Sequence, residues 1–555
     1  MCANKRVISV SIAITMLVVP LTQAKLTSPT TQLEVEQEQK QRLEAVQTAK
    51  ESLQNITPLQ SIPIDQNSND ITCFDIDSVN FSGNDIFGDS ELLALLQFQP
   101  MCIGLNTINQ YLSIITNYYV EQGYVTSRAF LVPQDLNSGS LEIIIVEGKI
   151  ESVLLNGQPV SFLKNAFPNS TNKKLNLREI EQGLDQINRL SRYNAQIKME
   201  PGKEQGFSVV NIVTNKGNVG SIGIGFNNGG QKNTGEDQIA LNIGLENLFD
   251  ALDKWSLSAN KSSEFSNYLD SENFNLSVDI PRGYWNVNYR TSYSTYLSTF
   301  QSNGFKFDST GKTNSHDLGI KRLFYRDEQS KFSASAGVHH RREKNYILNT
   351  LLNTGSRNLS SVSLTLDYST RIEKGFFTLS PRYHLGTDWF GGEDDHGTSE
   401  QAPKAQFKKV TLTASYSYPL STDLAYSTTW FGQWSDDELY GNERLSIGGE
   451  YSVRGFKGAS ISGDKGFYWR NEVNYPLTSL PYFGRLTANV AVDTGQIIKD
   501  SSNPFEQGAL TGASVGVNSS SNNLSSSFSI GLPLEAPSRL QNDDYVIYFR
   551  LDLKY

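Results

Sequence analysis

The stretch IGGEYSVRGFKGASISGDKGFYWR, residues 447–470, decides how the rest of the chain is interpreted. It contains several glycines, Arg454 stands between apolar and small neighbours, and an alternating strand pattern begins at Phe467. A turn of roughly 2–5 residues is enough to join two antiparallel strands. Because the connection over residues 447–466 is far longer, we expect it to do more than reverse the chain direction.

The N-terminus has the order of residues that is typical of a secretory signal peptide. Lys5 and Arg6 precede an apolar run over residues 7–21, and the chain then reaches a small residue, Ala24. The run is shorter than the roughly 20 residues of a transmembrane helix. We therefore predict that residues 1–24 direct export and are then removed.

The net charge bears on the possible partners, and the cysteines bear on a possible disulfide. The formal net charge of −10 becomes −12 once the two positive charges of Lys5 and Arg6 are lost, which argues against a nucleic-acid partner. Cys73 and Cys102 are then the remaining cysteines. An exported chain meets an oxidising compartment, so we expect a disulfide between them. The alternative is a pair of free buried thiols.

The segment after the predicted signal peptide has two parts of different composition, a polar helix and a linker. Residues 31–54 are rich in strong helix formers, but their apolar residues are too sparse for a stripe that faces a core. Such a helix suits water or a wet channel, and we assign it to residues 25–54. Residues 55–70 contain prolines and polar residues without a period and are predicted to be a linker.

Residues 71–148 and 149–216 have the patterns of two small α+β modules with one topology. In the first, Ser90 and Thr107 are expected to cap two helices, and in the second, Asn176 is expected to cap the longer helix. Each module is predicted to run β-α-α-β-β. The recurrence indicates an internal repeat.

From residue 217 onwards, strands alternate apolar and polar residues. The last strand is the clearest, because Phe549, Leu551, Leu553 and Tyr555 share one face and polar residues occupy the other. Strands of about 10 residues with this alternation are typical of a transmembrane β-barrel. Residues 217–555 are enough for roughly 16 antiparallel strands, which leave an open lumen. A soluble array of β-sandwiches is the alternative, but it does not explain the leader and the terminal aromatic strand.

Three stretches carry residue types found in catalytic or metal sites, and none has the surrounding pattern. Gly311-Lys312-Thr313 ends like a phosphate-binding loop, but Lys306 stands where that loop needs its first glycine. His339-His340 are strand neighbours, which point to opposite faces. Asp394-Asp395-His396 lie in a polar loop without an opposing acidic pair. We expect no enzymatic activity, no metal and no cofactor.

Arg454 is the candidate functional residue of the long loop. If the loop folds back into the lumen, the guanidinium can bind a carboxylate of the inner wall through several donors. Asp493 is on the polar face of its strand and is the first candidate partner. Arg470 and Glu472, on the polar face of the strand after the loop, are the next candidates. The alternative is a flexible arginine on the surface.

Nine ordered stretches in the modules and the loop resemble one family. They are GYVTSR (123–128), PQDL (133–136) and GSL (139–141) in the first module, LREIEQGL (177–184), NRL (188–190) and PG (201–202) in the second, and IGG (447–449), SVRGF (452–456) and GFYWRNE (466–472) around the loop. These stretches resemble the TpsB transporters of two-partner secretion in the Omp85 superfamily. The family includes haemolysin activators, haemagglutinin transporters and transporters of contact-dependent inhibition toxins.

The resemblance implies an architecture and a location. It implies two periplasmic POTRA domains, a barrel of 16 strands in the bacterial outer membrane, and a lumen plugged by the N-terminal helix and the folded-back loop. Val453, Arg454, Gly455 and Phe456 then match the loop motif of the family, and Asp493 matches its acidic partner on the inner wall.

This chain departs from the family at two positions that bear on the same features. Ala491 stands two residues before Asp493, where the family usually has an aromatic residue. Tyr555 replaces the commoner Phe at the end of the assembly signal, which a terminal aromatic residue still suits.

The resemblance also implies the function. We expect one large secreted exoprotein, a haemolysin, an adhesin or an inhibition toxin, to bind the POTRA domains and to cross the barrel without ATP. Outer-membrane lipid and the barrel-assembly machinery are the other expected partners. A barrel-assembly insertase of the same superfamily and a passive porin are the alternatives.

Overall fold

The computed structural model describes residues 28–54, 73–215, 217–302, 304–399, 402–498 and 507–555. The predicted signal peptide and the whole of the predicted linker lie outside these residues. Within the described residues, no helix combines the length and the apolar character needed to cross a membrane.

Helix α1 (Pro29–Gln54) contains the predicted polar helix and begins two residues before its predicted strong helix formers. At 1.5 Å per residue, its 26 residues extend about 39 Å. It lies in the barrel lumen, and its contacts there are described below with the candidate site.

The first module follows the predicted order with one addition, a separate two-stranded sheet. In its main sheet, β5 is central, parallel to β2 and antiparallel to β4. The separate sheet pairs β1 with β3. The elements are β1 (Cys73–Ile76), β2 (Ser78–Ser82), α2 (Asp89–Leu96), β3 (Met101–Gly104), α3 (Leu105–Glu121), β4 (Arg128–Leu131) and β5 (Ser140–Val146).

The predicted caps of the two helices in this module are wrong. The residues that precede α2 and α3 are Gly88 and Gly104, both in extended backbone, so Ser90 and Thr107 lie inside the first turns. Strand β3 leads into α3 without a loop, and this long-range pairing of β3 with β1 places the helix start earlier than the local capping preference does.

The sheet of the second module repeats the topology of the main sheet of the first. Its central strand β8 is parallel to β6 and antiparallel to β7. Asn176 caps α5 as predicted, because its side chain accepts from the backbone N–H of Arg178. The elements are β6 (Lys149–Leu155), α4 (Leu163–Ala166), α5 (Leu177–Asn188), β7 (Gln196–Pro201) and β8 (Phe207–Val213).

The Cys73–Cys102 disulfide is confirmed. It links β1 to β3, and the two Cα atoms are 5.4 Å apart. In the chain-entropy model, a disulfide that closes a loop of about 30 residues stabilises a fold by about 3–4 kcal/mol. The disulfide therefore secures the small sheet that leads into α3.

The rest of the described chain forms a closed barrel of 16 antiparallel strands, as predicted, and β27 pairs with β9 to close it. β16 (Thr350–Leu351) only extends β15 beyond the rim. The strands are β9 (Gly220–Asn227), β10 (Gln238–Glu246), β11 (Lys254–Ser262), β12 (Leu269–Arg282), β13 (Trp285–Ser302), β14 (Phe305–Arg326), β15 (Ser330–Ile347), β17 (Arg357–Ile372), β18 (Gly375–Thr387), β19 (Lys408–Pro419), β20 (Ala425–Ser435), β23 (Gly466–Leu480), β24 (Gly484–Ile497), β25 (Gly508–Ser520), β26 (Leu524–Glu535) and β27 (Val546–Lys554).

The two faces of the barrel wall differ as the sequence alternation predicts. On β24, the side chains of Val490 and Val492 are exposed on the outside, whereas Asn489 and Asp493 are buried on the lumen side. Only a closed barrel or a helix satisfies every backbone group within lipid. The closed wall with an apolar exterior rules out the β-sandwich array.

Among the residues that the structure describes, apolar cores occur in three places. Each module has its own core between its helices and one face of its sheet. The third core lies inside the barrel and gathers Val453 and Phe456 of the long loop against wall residues that include Tyr468 and Leu510. The long loop over residues 447–466 therefore has a packed core of its own.

Candidate functional site: the loop and the helix inside the barrel

The connection between β20 and β23 folds back into the lumen. It contains a short hairpin, β21 (Leu445–Ile447) with β22 (Ile461–Gly463), and the tip lies between these two strands. Gly448 and Gly449 turn the chain at the base of the tip with φ angles of +111° and +128°. The glycines thus supply a backbone conformation that side chains disfavour.

Arg454 at the tip binds Asp493 on the wall through two parallel bonds. Its Nε donates to Asp493 Oδ2 at 2.6 Å and its Nη2 to Oδ1 at 2.8 Å. The backbone N–H of Arg454 also donates to Oδ2, at 3.1 Å. The Asp493 side chain is fully buried, and that of Arg454 is 8% exposed. Charge-assisted bonds of this forked kind are strong and directional.

Glu472 and Arg470, the two further candidates, have different positions. Glu472 Oε2 accepts from Arg454 Nη1 at 2.5 Å, so the guanidinium lies between two carboxylates. Arg470 donates to loop carbonyl oxygens, those of Glu450 at 2.8 Å and Ser452 at 3.3 Å. Glu472 therefore completes the charge site, and Arg470 holds the backbone of the tip.

Glycines of the wall, which none of the sequence patterns described above singles out, form the seat of the tip. A Cβ on Gly512 would lie 1.9 Å from the Arg454 carbonyl oxygen, and one on Gly531 would lie 2.8 Å from the Gly455 nitrogen. Gly455 itself has a φ of +101°, and a Cβ there would lie 2.6 Å from the Leu532 carbonyl oxygen. The backbone of the tip therefore packs directly on the backbone of the wall. The glycines in β25 and β26 are the feature of the sequence from which this seat could have been predicted.

Ala491, where the family usually has an aromatic residue, lies on the lumen face. It is buried and stands opposite Glu472 on β23 and Ser514 on β25. The Arg454–Asp493 bonds form beside this small residue.

Helix α1 shares the lumen and contacts the wall through polar side chains. Glu34 forms an ion pair with Arg341 at 2.9 Å and accepts from Ser315 Oγ at 3.0 Å. Arg341 also donates to Thr31 Oγ1 at 3.0 Å. The helix is therefore held by hydrogen bonds and charge.

The same helix touches the loop region at two points. Gln39 donates to the Ser446 carbonyl oxygen at 2.9 Å, and Arg42 donates to the Tyr468 hydroxyl at 2.8 Å. The Arg42 guanidinium also lies 3.5 Å from the centre of the Phe431 ring. The loop and the helix thus form one assembly that fills part of the lumen.

The second module is docked on the end of the barrel where the turn between β12 and β13 lies. Gln186 of α5 donates to the Gly283 carbonyl oxygen at 2.9 Å, in the turn between β12 and β13. Asp185 of α5 accepts from Arg326 at 2.5 Å, at the end of β14. These contacts fix the orientation of α5 over the lumen.

The two modules are joined by charged side chains. Lys174 of the second module binds Asp85 of the first at 3.0 Å and also contacts Glu147. The hydrogen bond from Lys174 lowers the pKa of the Asp85 carboxyl. Glu147 accepts from the Tyr119 hydroxyl at 2.9 Å, and burial together with this bond raises the pKa of Tyr119.

The side chains of the three stretches weighed as catalytic or metal sites have separate partners. Gly311-Lys312-Thr313 lies within β14, and His339-His340 lies within β15, where the two rings bind Asp317 and Ser360 respectively. Asp395 accepts backbone N–H bonds inside its own loop. In the described part of the chain, no three metal-ligating side chains gather.

The terminal residues predicted as an assembly signal lie on the outside of β27. Leu551, Leu553 and Tyr555 are exposed, and Phe549 packs beside Phe226 of β9. The last strand therefore presents an apolar outer face at the closing seam of the barrel.

Family models match most of the chain. Residues 206–519 match the haemolysin secretion/activation protein family ShlB/FhaC/HecB. Residues 74–148 match the ShlB-type POTRA domain, and residues 149–201 match a second POTRA domain model.

Individual relatives agree with this assignment. The outer membrane transporter CdiB of Dickeya dadantii (strain 3937) is 37% identical over 95% of both chains. The hemolysin transporter protein ShlB of Serratia marcescens is 29% identical over 80% of both. The solved structure of CdiB from Escherichia coli has a TM-score of 0.93 at 36% identity and covers 96% of this chain and 100% of its own. The chain therefore belongs to the ShlB/FhaC/HecB family, and it is an outer-membrane β-barrel transporter of two-partner secretion with POTRA domains in the periplasm.

Proposed function

We propose that this chain exports one large exoprotein, of the haemolysin, adhesin or inhibition-toxin class, and that the loop and α1 control the lumen during export. The observation that carries the proposal is the contrast inside the barrel. The loop is fixed by an apolar core together with a buried charge site, whereas the contacts described for α1 are hydrogen bonds and ion pairs to the wall and the loop region. A removable plug beside a permanent insert suits a pore that opens for one substrate.

Recognition takes place at the modules in this proposal. In both sheets the central strand is covered on each side, so β2 and β4 are edges in the first module and β6 and β7 in the second. An extended segment of an unfolded exoprotein adds to such an edge through main-chain bonds. The second module, which is docked on the barrel, passes the segment to the lumen.

Folding of the exoprotein outside the cell drives the transport in one direction, and no ATP is consumed. The other partners follow from the surface of the chain. The apolar exterior of the barrel contacts outer-membrane lipid, and β27, with Tyr555 after its last residue, is presented to the barrel-assembly machinery. The acidic net charge of −10 disfavours nucleic acid. Transport of a protein chain requires no catalytic residue in this scheme.

Within this scheme, Arg454, Asp493 and Glu472 hold the loop so that the lumen keeps its shape while the exoprotein passes. The test is secretion of the partner exoprotein by cells that carry Arg454→Ala, where the partner is identified as the protein that appears in the medium only when the wild-type chain is expressed. We expect secretion to fall by at least tenfold, while Lys465→Ala, which removes an exposed pair with Asp436, leaves it unchanged. Normal secretion by Arg454→Ala with normal barrel assembly would refute the role of the loop.

Two measurements separate transport from the alternative functions. A porin gives high steady conductance in planar bilayers with α1 in place, and a transporter gives low conductance that rises when α1 is deleted. An insertase produces general outer-membrane assembly defects when its gene is deleted. A transporter loses only the secretion of its own partner.

A further inference from the structure

The C-terminal end of α1 is held by two cations of the barrel wall. Lys331 Nζ donates to the Ser52 carbonyl oxygen at 2.9 Å, and Arg371 Nη2 donates to the Leu53 carbonyl oxygen at 2.5 Å. The last carbonyl groups of a helix lack partners within it and carry the negative end of its dipole. Because α1 has no basic residue in its own last turn, the wall supplies the positive charge.

Lys331 has a second acceptor, which comes from outside the barrel. Its Nζ donates to Asp185 Oδ2 at 2.7 Å, and Asp185 belongs to α5 of the second module. The side chain of Lys331 is only 10% exposed. One buried ammonium therefore binds the plug helix and the periplasmic module at the same time.

The charges around Lys331 explain why the two contacts depend on each other. Arg326 also binds Asp185 Oδ2, at 2.5 Å, so two buried cations share this carboxylate. A buried cation that loses its counter-charge is strongly destabilised. If α5 moves away, Lys331 faces Arg326 without Asp185, and its ammonium turns towards water. The Ser52 carbonyl then loses its donor.

We propose that Lys331 couples the docking of α5 to the retention of α1. An exoprotein segment that binds the second module and displaces α5 thereby releases the C-terminal end of the plug helix, which is the end that faces the incoming chain. This inference rests on the proposed transport function, and it adds the route by which binding in the periplasm opens the lumen.

Arg371 supplies a matched comparison. It holds the adjacent carbonyl of α1, and its guanidinium lies 5.7 Å from the Phe376 ring, so its contacts belong to the barrel and the plug. Removal of Arg371 weakens the plug independently of α5. Removal of Asp185 weakens the plug only through Lys331.

The experiment measures the open fraction of the full-length protein in planar bilayers. We expect Lys331→Met, Asp185→Asn and Arg371→Met each to raise the open fraction about tenfold. The double variant of Lys331 and Asp185 should resemble Lys331→Met alone, whereas the effects of Asp185→Asn and Arg371→Met should multiply. Heat-modifiable mobility on gels verifies that each barrel is folded.

Two controls assign the signal. Lys198→Met removes an exposed ion pair with Glu200 on β7 of the second module, which is not part of the docking of α5, and should leave the open fraction unchanged. A disulfide between Thr30→Cys and Thr313→Cys, whose hydroxyls are 3.1 Å apart, should hold α1 in the lumen and return every variant to low conductance.

An unchanged open fraction in Asp185→Asn, or effects of Asp185→Asn and Lys331→Met that multiply, would overturn the coupling. Secretion of the exoprotein by the wild type tests the proposed function separately. Secretion with multiplying effects overturns only the coupling. Absence of secretion by a folded wild-type protein overturns the proposed function.

Discussion

The loop tip and helix α1 occupy the same lumen and are held there in opposite ways. The tip buries Val453 and Phe456 in an apolar core and places Arg454 between two carboxylates. α1 contacts the wall through side chains such as Glu34 and Arg42. Both segments fill the pore, but filling the pore does not make a segment its gate. The kind of contact with the wall decides whether the segment can leave, and α1 is the one whose contacts allow it.

The largest expected effect tests the permanence of the tip. Asp493→Asn leaves Arg454 buried with one carboxylate, and a broken buried pair costs about 3–5 kcal/mol. We expect a clear loss of resistance to thermal unfolding, measured by heat-modifiable mobility. The matched variant Asp436→Asn removes an exposed partner of Lys465 and should leave the transition unchanged. Equal stability of the two variants would contradict a structural role for the tip.

A smaller effect is expected from the seat of the tip. Gly512→Ala places a Cβ 1.9 Å from the Arg454 carbonyl oxygen, so the tip must shift. We expect a loss of about 1–3 kcal/mol in unfolding free energy. Gly337→Ala, on the lumen face of β15, meets Ser363 Oγ at 3.1 Å as its nearest neighbour and should cost much less. Denaturant unfolding followed by tryptophan fluorescence compares the two, and a smaller loss for Gly512→Ala than for Gly337→Ala would refute the seat.

The contact between Arg42 of α1 and the wall residues that pack against the tip should affect the plug helix and not the tip. Arg42→Met removes a hydrogen bond to Tyr468 and the contact with the Phe431 ring, which together contribute about 1–2 kcal/mol. We expect about a tenfold rise in open fraction in planar bilayers and no change in thermal unfolding. A stability loss without a change in conductance would show that Arg42 serves the tip and not the plug.

Salt should produce the smallest effect and should again separate the two regions. An increase from 0.1 M to 1 M KCl shortens the screening length from about 10 Å to about 3 Å. The Glu34 carboxylate of the plug is 18% exposed, so salt reaches its pair with Arg341 more readily than the fully buried Asp493, and the normalised open fraction should rise slightly. The Arg454 site is shielded from water, so cleavage of the tip by added trypsin should not increase. Faster cleavage at high salt would place the tip among the removable contacts.

The sequence was sufficient where the pattern is local. The two-residue period of the strand fixed the face of Asp493, and the composition of residues 31–54 fixed a polar helix. The seat of the tip could not be predicted, because Gly512 and Gly531 lie on strands far along the chain from the tip. The link between Lys331 and Ser52 requires the docked position of α1, which no periodicity contains.

The uneven strand lengths give the exit of the barrel a direction. β14 has 22 residues and β27 has nine. At about 3.4 Å per residue and a tilt of about 40°, these lengths correspond to wall heights of roughly 57 Å and roughly 24 Å, against an apolar band of about 25 Å. The rim is therefore slanted. A chain that leaves along β13 to β15 stays beside protein for roughly nine further extended residues, whereas the seam of β27 and β9 ends at the membrane surface.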